Sequence, residues 1–267
     1  MLVIVLRYLK YFKNFIREMI YSIFYDNPFL VRKYKKQLSQ KLSSIEGNYS
    51  GRCFIIGNGP SLKNIDFESL KYEYTFGSNY IFKNKDLFDA LNLDFYIVQD
   101  RKAMFKIKDI IDFLNSDNTI KKIAIYNYSK HVNITDRKNI YFFYGNLLRS
   151  KFVKLFDKKK IDLLDIYPTV TITMMQIAIK LGFTELVMVG VDASISSKMQ
   201  PLHFYDDNIN SSISVPFKKQ IKAYKKFSKL VPPNIRIINA SGGGYLKIFE
   251  TKDLEELNVN TSNDNKL

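Results

Sequence analysis

From Arg52 onward the chain alternates short, continuously apolar runs with longer stretches of helical periodicity. The runs at 53–56, 74–76, 95–98, 123–126, 140–143, 186–189 and 235–238 are too short for helices and rich in Ile, Val and Phe. Each predicts a strand. Between them, 67–70, 104–115, 171–181 and 217–230 predict helices, the third stopped by Gly182 and the fourth by Pro232-Pro233. Strands that are apolar at every position need cover on both faces. The pattern therefore predicts an α/β fold, a mostly parallel Rossmann-like sheet with helices on both faces. No internal repeat is visible.

The ends of the chain read differently. Apolar residues recur at helical spacing over 2–24, and Arg7, Lys10, Lys13 and Arg17 form a cationic stripe beside them. This predicts an N-terminal amphipathic helix. Two placements fit it: a membrane interface, or packing on the rest of the chain or another subunit. Further basic residues at Arg32, Lys33, Lys35 and Lys36 favour the first. The expected partner is then an anionic membrane surface met through residues 1–36, with the protein cytoplasmic and peripheral on the inner face of a bacterial membrane. The same charges interrupt the apolar stretch, so no span is predicted, and no small-residue cleavage site marks a signal peptide. Residues 38–51 read as a polar connector and the end of the chain as a frayed polar tail. The expected organisation is 1–50 helix and connector, 51–256 main domain, and 257–267 tail.

Composition narrows the partners. Hydrophobic residues make up 46% of 267, enough for one large domain with an appendage. The single cysteine, Cys53, lies in an apolar run and predicts a buried core thiol with no internal disulfide. The formal net charge of +15 favours anionic partners, although a solvated lysine-rich surface accounts for such a charge equally well. No zinc-finger spacing, RNA-recognition signature or helix-turn-helix is present, so no nucleic-acid partner is predicted.

In open α/β sheets ligands bind beyond the carboxyl ends of the strands. Small and polar residues collect at that edge: Gly57-Asn58-Gly59-Pro60-Ser61, Gly77-Ser78-Asn79, Gln99-Asp100, Gly190-Val191-Asp192, and Asn239-Ala240-Ser241 with Gly242 and two further glycines. Gly57 and Gly59 would let the backbone approach a ligand, Pro60 would fix the turn, and Ser61 would cap a helix whose N–H groups favour phosphate. Asn58 offers both a donor and an acceptor, suited to a base or ribose. The turn is neither a Walker loop nor a GxGxxG fingerprint. His203 is one of two histidines and a candidate general base, with a hydrogen-bonding loop residue as the plain alternative; His131 lies in a polar segment. No Asp-x-Asp stands at a strand end, so no metal site is predicted.

The opening Gly57-Asn58-Gly59-Pro60-Ser61-Leu62-Lys63-Asn64-Ile65-Asp66 resembles that of the bacterial family-42 sialyltransferases. It is also similar to the related archaeal hydroxymethylpterin diphosphokinase-like proteins and flagellin-modifying glycosyltransferases. Gly77-Ser78-Asn79-Tyr80-Ile81-Phe82 and the helix-strand unit from Ile177 to Asp192 add weaker likeness. The resemblance covers about residues 52–250. It implies a variant GT-A fold, a CMP-type nucleotide, metal-independent transfer, nucleotide contact by Asn79, and a His-aromatic pair at His203-Phe204 as the base. Many relatives assemble as oligomers, so a homo-oligomer is also implied. The chain departs from the sialyltransferase pattern at the donor sugar. Of the stretch that holds the sialic acid carboxylate only Thr169 survives, Asp100 falls where an Asn is expected, and the two phosphate-binding tyrosines are absent after Asp192, with Tyr205 a substitute for one.

These readings combine into an expected glycosyltransferase that moves a sugar from a nucleotide-activated, CMP-linked donor to a glycan or lipid-linked acceptor. Asn58, Ser61 and Asn79 would hold the nucleotide, Gly190 and Asp192 would close the site, and His203 would take the acceptor proton. No cofactor is expected beyond the donor substrate. The alternatives are an ATP- and magnesium-dependent diphosphokinase, the only reading that needs magnesium, and a non-catalytic scaffold at a membrane surface.

Overall fold

The structure is a computed structural model that describes residues 42–83, 88–90, 93–99, 113, 121–126, 139–145, 163–164, 168–193, 203–204, 217–242 and 246–257. All of these fall in the compact unit Gln40–Leu267. The expected N-terminal amphipathic helix lies outside the described residues, as do the expected helix over 104–115 (apart from the helical Phe113) and nearly all of the polar tail.

Strands β1 (Arg52–Ile56), β2 (Tyr74–Ser78), β3 (Phe95–Val98), β4 (Lys122–Tyr126), β5 (Ile140–Gly145), β6 (Leu163–Leu164), β7 (Glu185–Val189), β8 (Arg236–Asn239) and β9 (Glu250–Thr251) form one sheet. Its order is β6-β5-β4-β3-β2-β1-β7-β8-β9. Every neighbouring pair is parallel. The seven strands expected from the apolar runs are present to within two residues. The sequence pattern missed β6 and β9, two-residue strands at the sheet edges, because two residues carry no periodicity.

The chain builds outward from β1 to β6, then returns to the other side of β1 with β7 and builds outward to β9. The reversal between β1 and β7 is a topological switch point.

Alternation along the strands divides the core in two. Cys53, Ile55, Phe95, Ile97, Leu186 and Met188 face one layer. Phe54, Ile56, Tyr96, Val98, Val187 and Val189 face the other. Helices α1 (Val170–Leu181) and α2 (Phe217–Ser228) cover the first face. The second is covered by 3-10 turns at Pro60–Asn64, Glu68–Leu70 and Ile81–Lys83 and by the helical residues Phe88 and Phe113. Each large side chain fully buried in these layers contributes about 1.5–3 kcal/mol.

Helix α1 is buried along most of its length, which explains its apolar composition. It ends in a Schellman turn, with Gly182 N–H to Ile179 O at 3.1 Å and Phe183 N–H to Ala178 O at 3.1 Å. Gly182 has φ +114°, and a Cβ there would collide with Tyr49 O. Tyr49 belongs to the stretch that reads as a connector. Instead that stretch docks: Leu42 is buried, Gly47 N–H donates to Lys180 O, and Tyr49 N–H donates to Leu181 O. The Tyr49 ring packs edge-on to Tyr74 and Phe95 and stacks on Phe183, with centroids 5.2–5.4 Å apart. Its few apolar residues, Leu42, Ile45 and Tyr49, all pack on the core, and backbone hydrogen bonds supply the rest of its contacts.

Candidate functional site

Four of the five expected turns come together at the carboxyl edge of the sheet, around the switch point. The loop after β1 and the loop after β7 touch along their backbones. Gly57 N–H continues the ladder to Val189 O at 2.8 Å, and Gly59 N–H reaches Gly190 O at 2.8 Å. A Cβ on Gly57 would collide with Gly190 O, and one on Gly59 with the Asp192 carboxylate. Loop-on-loop packing therefore requires glycine at both positions, a reason the sequence does not display.

Ser61 is likewise reassigned. The segment after Pro60 is a single 3-10 turn capped by Gly59, with no side-chain cap. The Ser61 N–H donates to Asp192 Oδ2 at 2.9 Å, and its hydroxyl donates to Asp192 Oδ1. Asp192 is 9% exposed, and Ser61 engages both of its oxygens. It acts as a latch on the first loop, joining the two turns that the sequence predicts to close the site. Ser241 braces the second loop from β8, its buried hydroxyl accepting from Val191 N–H at 2.9 Å. Asn239 holds the turn that carries it, with Nδ2 donating to Leu246 O at 3.2 Å and Oδ1 accepting from Ser241 N–H at 3.3 Å. Gly242 follows as an exposed residue of positive φ.

Asn58 joins three segments. Its Nδ2 donates to Ser78 O at 3.1 Å and its backbone carbonyl accepts from Phe204 N–H at 3.0 Å. Because a carbonyl must receive a donor, the amide orientation is set, and Oδ1 faces the other way. That oxygen is buried without a hydrogen bond, and so are Ser78 Oγ and Asn79 Oδ1. Asn79 adopts φ 53°, a left-handed conformation that Asn tolerates, and its carbonyl accepts from the buried Tyr96 hydroxyl. A buried polar group left unpaired costs about 1–3 kcal/mol. Three such oxygens stand at the ends of β1 and β2, at the carboxyl edge of the sheet.

His203 is half-buried and precedes Phe204, whose ring is buried and whose N–H is held by Asn58. The His-aromatic pair is thereby tied to the first loop. Thr169 caps α1 by accepting from Thr171 N–H at 3.4 Å, and both threonines bond the buried Tyr224 hydroxyl of α2. Burial pushes the Tyr224 phenol up, so it stays protonated. Asp100, Tyr205 and His131 lie outside the described residues. Gln99, the last described residue after β3, accepts from Thr173 of α1. Sequence reasoning placed Ser78 and Gln99 at the binding edge without an individual role, and gave none to Tyr96 or Thr173. Gln99 at a strand end was a visible signal, whereas Tyr96 and Thr173 read as core. Among the described residues no group of three His, Cys, Asp or Glu side chains is placed to hold a metal, and no helix is long and apolar enough to cross a membrane.

No protein-family model and no curated protein matches the chain. Solved structures do. The MAf glycosyltransferase from Magnetospirillum magneticum AMB-1 is similar over 80% of this chain, with a TM-score of 0.56 and 18% identity. The chain spans 35% of that protein's length. The sialyltransferase CstII from Campylobacter jejuni, solved with cytidine-5'-monophosphate, aligns over 75% of this chain and 84% of its own, with a TM-score of 0.43 and 19% identity. The α/β fold built around the β1–β7 switch point is therefore one that also occurs in a glycosyltransferase.

Proposed function

We propose that this chain is an inverting glycosyltransferase that uses a CMP-linked sugar donor without a bound metal. The observation that carries the reading is the cluster of unpaired oxygens on Asn58, Ser78 and Asn79 at the switch point. Amino or hydroxyl donors of a nucleoside would pair with them. The opening motif resembling family-42 sialyltransferases and the fold shared with the MAf glycosyltransferase support the same class.

In this reading an acceptor hydroxyl attacks the anomeric carbon of the donor, the carbon–oxygen bond to phosphate breaks, and CMP leaves with the electron pair. His203 takes the hydroxyl proton. The Asp192–Ser61 latch holds the first loop in shape through the cycle. The loss of most sialic acid contacts favours a different donor sugar, with Asp100 accepting from its hydroxyls. A donor screen in which CMP-sialic acid alone turned over would sink that part of the reading. The acceptor is a glycan or lipid-linked sugar, met at an anionic membrane surface to which residues 1–36 attach the enzyme.

Calorimetric titration with CMP, CDP, UDP, GDP and ATP, each with and without magnesium, tests the proposal. It predicts preferential CMP binding that persists in chelator. Magnesium-dependent ATP binding with no CMP response would replace it with diphosphoryl transfer. His203→Ala is expected to keep CMP affinity and lose at least about a hundredfold in turnover, the usual contribution of a general base.

A further inference from the structure

Between Asp207 and Glu250 the sequence contains no acidic residue, yet it holds Lys218, Lys219, Lys222, Lys225, Lys226 and Lys229. The structure gathers these six on α2 and the turn after it, and all six are exposed. At about 100° per residue they occupy an arc of roughly 120°, with Lys218, Lys222, Lys225 and Lys229 along one line about 16 Å long. The opposite face is anchored, with Ala223, Tyr224 and Phe227 buried in the core. Among the described residues, Lys218, Lys219, Lys222, Lys225 and Lys229 make no ion pair. Arg236, just beyond this helix, is by contrast held by Glu185 at 3.0 Å and Glu250 at 2.7 Å. A rigid, straight row of uncompensated ammonium groups raises the field of its neighbours and calls for an extended anionic surface.

We propose that the lysine face of α2 is a contact surface for anionic phospholipid headgroups. The row is made of lysine alone. It has no arginine fork to grip phosphates bidentately and no exposed aromatic ring on which a base could stack, the features that nucleic-acid grooves combine with charge. Polybasic attraction to a lipid surface needs only charge density on one face. The site differs from the basic N-terminal segment and stands independently of the transferase reading.

The test is co-sedimentation of the full chain with vesicles of phosphatidylcholine alone or mixed with phosphatidylglycerol, with no nucleotide present. The four lysines on the line are replaced together, Lys218→Gln, Lys222→Gln, Lys225→Gln and Lys229→Gln, and separately by arginine. Each lysine near such a surface is worth about fivefold in partitioning. The full chain should bind the mixed vesicles in a salt-dependent manner. The glutamine variant should bind them at least about tenfold more weakly, and the arginine variant should bind as the parent does. Equal binding by the glutamine variant, or preference of the parent chain for polyuridylate over mixed vesicles, would overturn the proposal.

Discussion

Asn58 spends its amide donor on Ser78 and its carbonyl on Phe204, and keeps its side-chain oxygen unpaired. The latch beside it gives a direct prediction. Asp192→Ala strands the Ser61 N–H and hydroxyl, so it should cost about 1–3 kcal/mol in denaturant unfolding and weaken nucleotide binding. Ser61→Ala removes one hydrogen bond and should cost only about 1 kcal/mol. Cys53 has no exposed surface, and burial, assisted by Glu73, pushes its thiol well up. It should resist alkylation in the native protein and react once denaturant is added. Its core position was legible from the apolar run alone. The roles of Gly57, Gly59 and Ser61 were not. Their partners, Gly190 and Asp192, lie 131 residues away in the Ser61 case, and no local pattern encodes that contact.

Helix α1 shows what an element's ends contribute. Its apolar periodicity and its stop at Gly182 are plain in the sequence. The reason only glycine fits is tertiary: the positive φ, and Tyr49 O where a Cβ would stand. Gly182→Ala should therefore destabilise by about 1–3 kcal/mol, read by thermal or urea unfolding. Thr169→Ala should cost about 0.5–2 kcal/mol through the lost cap. The chain's resemblance to sialyltransferases links Thr169 to donor binding, while the structure gives it the structural work of capping α1 and bonding Tyr224. A melting shift without a change in CMP affinity would assign it to the second role alone. The stretch at 42–51 was misread for a related reason. Its hydrophobic content is small, and its docking runs through main-chain hydrogen bonds that composition does not reveal.

At the scale of the molecule the two edges of the sheet have opposite chemistry. At the amino edge, charged residues stand at or just before the strand starts and pair across them: Arg52 with Glu73 and Glu185, Lys121 with Asp94, and Arg236 with Glu185 and Glu250. Asp94 is buried and also accepts from Thr75 N–H at 3.0 Å, so removing it breaks more than a surface pair. Asp94→Ala strands the Thr75 N–H and should cost about 1–3 kcal/mol in unfolding experiments while leaving nucleotide affinity of the folded protein unchanged. At the carboxyl edge, glycine, asparagine, serine and a latched carboxylate surround the switch point. The alternation of strands and helices was enough to read the parallel α/β class. The strand order that places the loops after β1 and β7 in contact was not readable, because it depends on where the chain turns back. In the proposed transferase this contact is the floor of a nucleotide site. The measurement that bears on it most directly is calorimetric titration of CMP, in chelator, into the parent chain and into Asn58→Ala. The account predicts binding by the parent, a loss of at least about tenfold in the variant, and melting temperatures that differ little. Equal CMP affinity in both proteins, or no nucleotide binding by the parent, would contradict it.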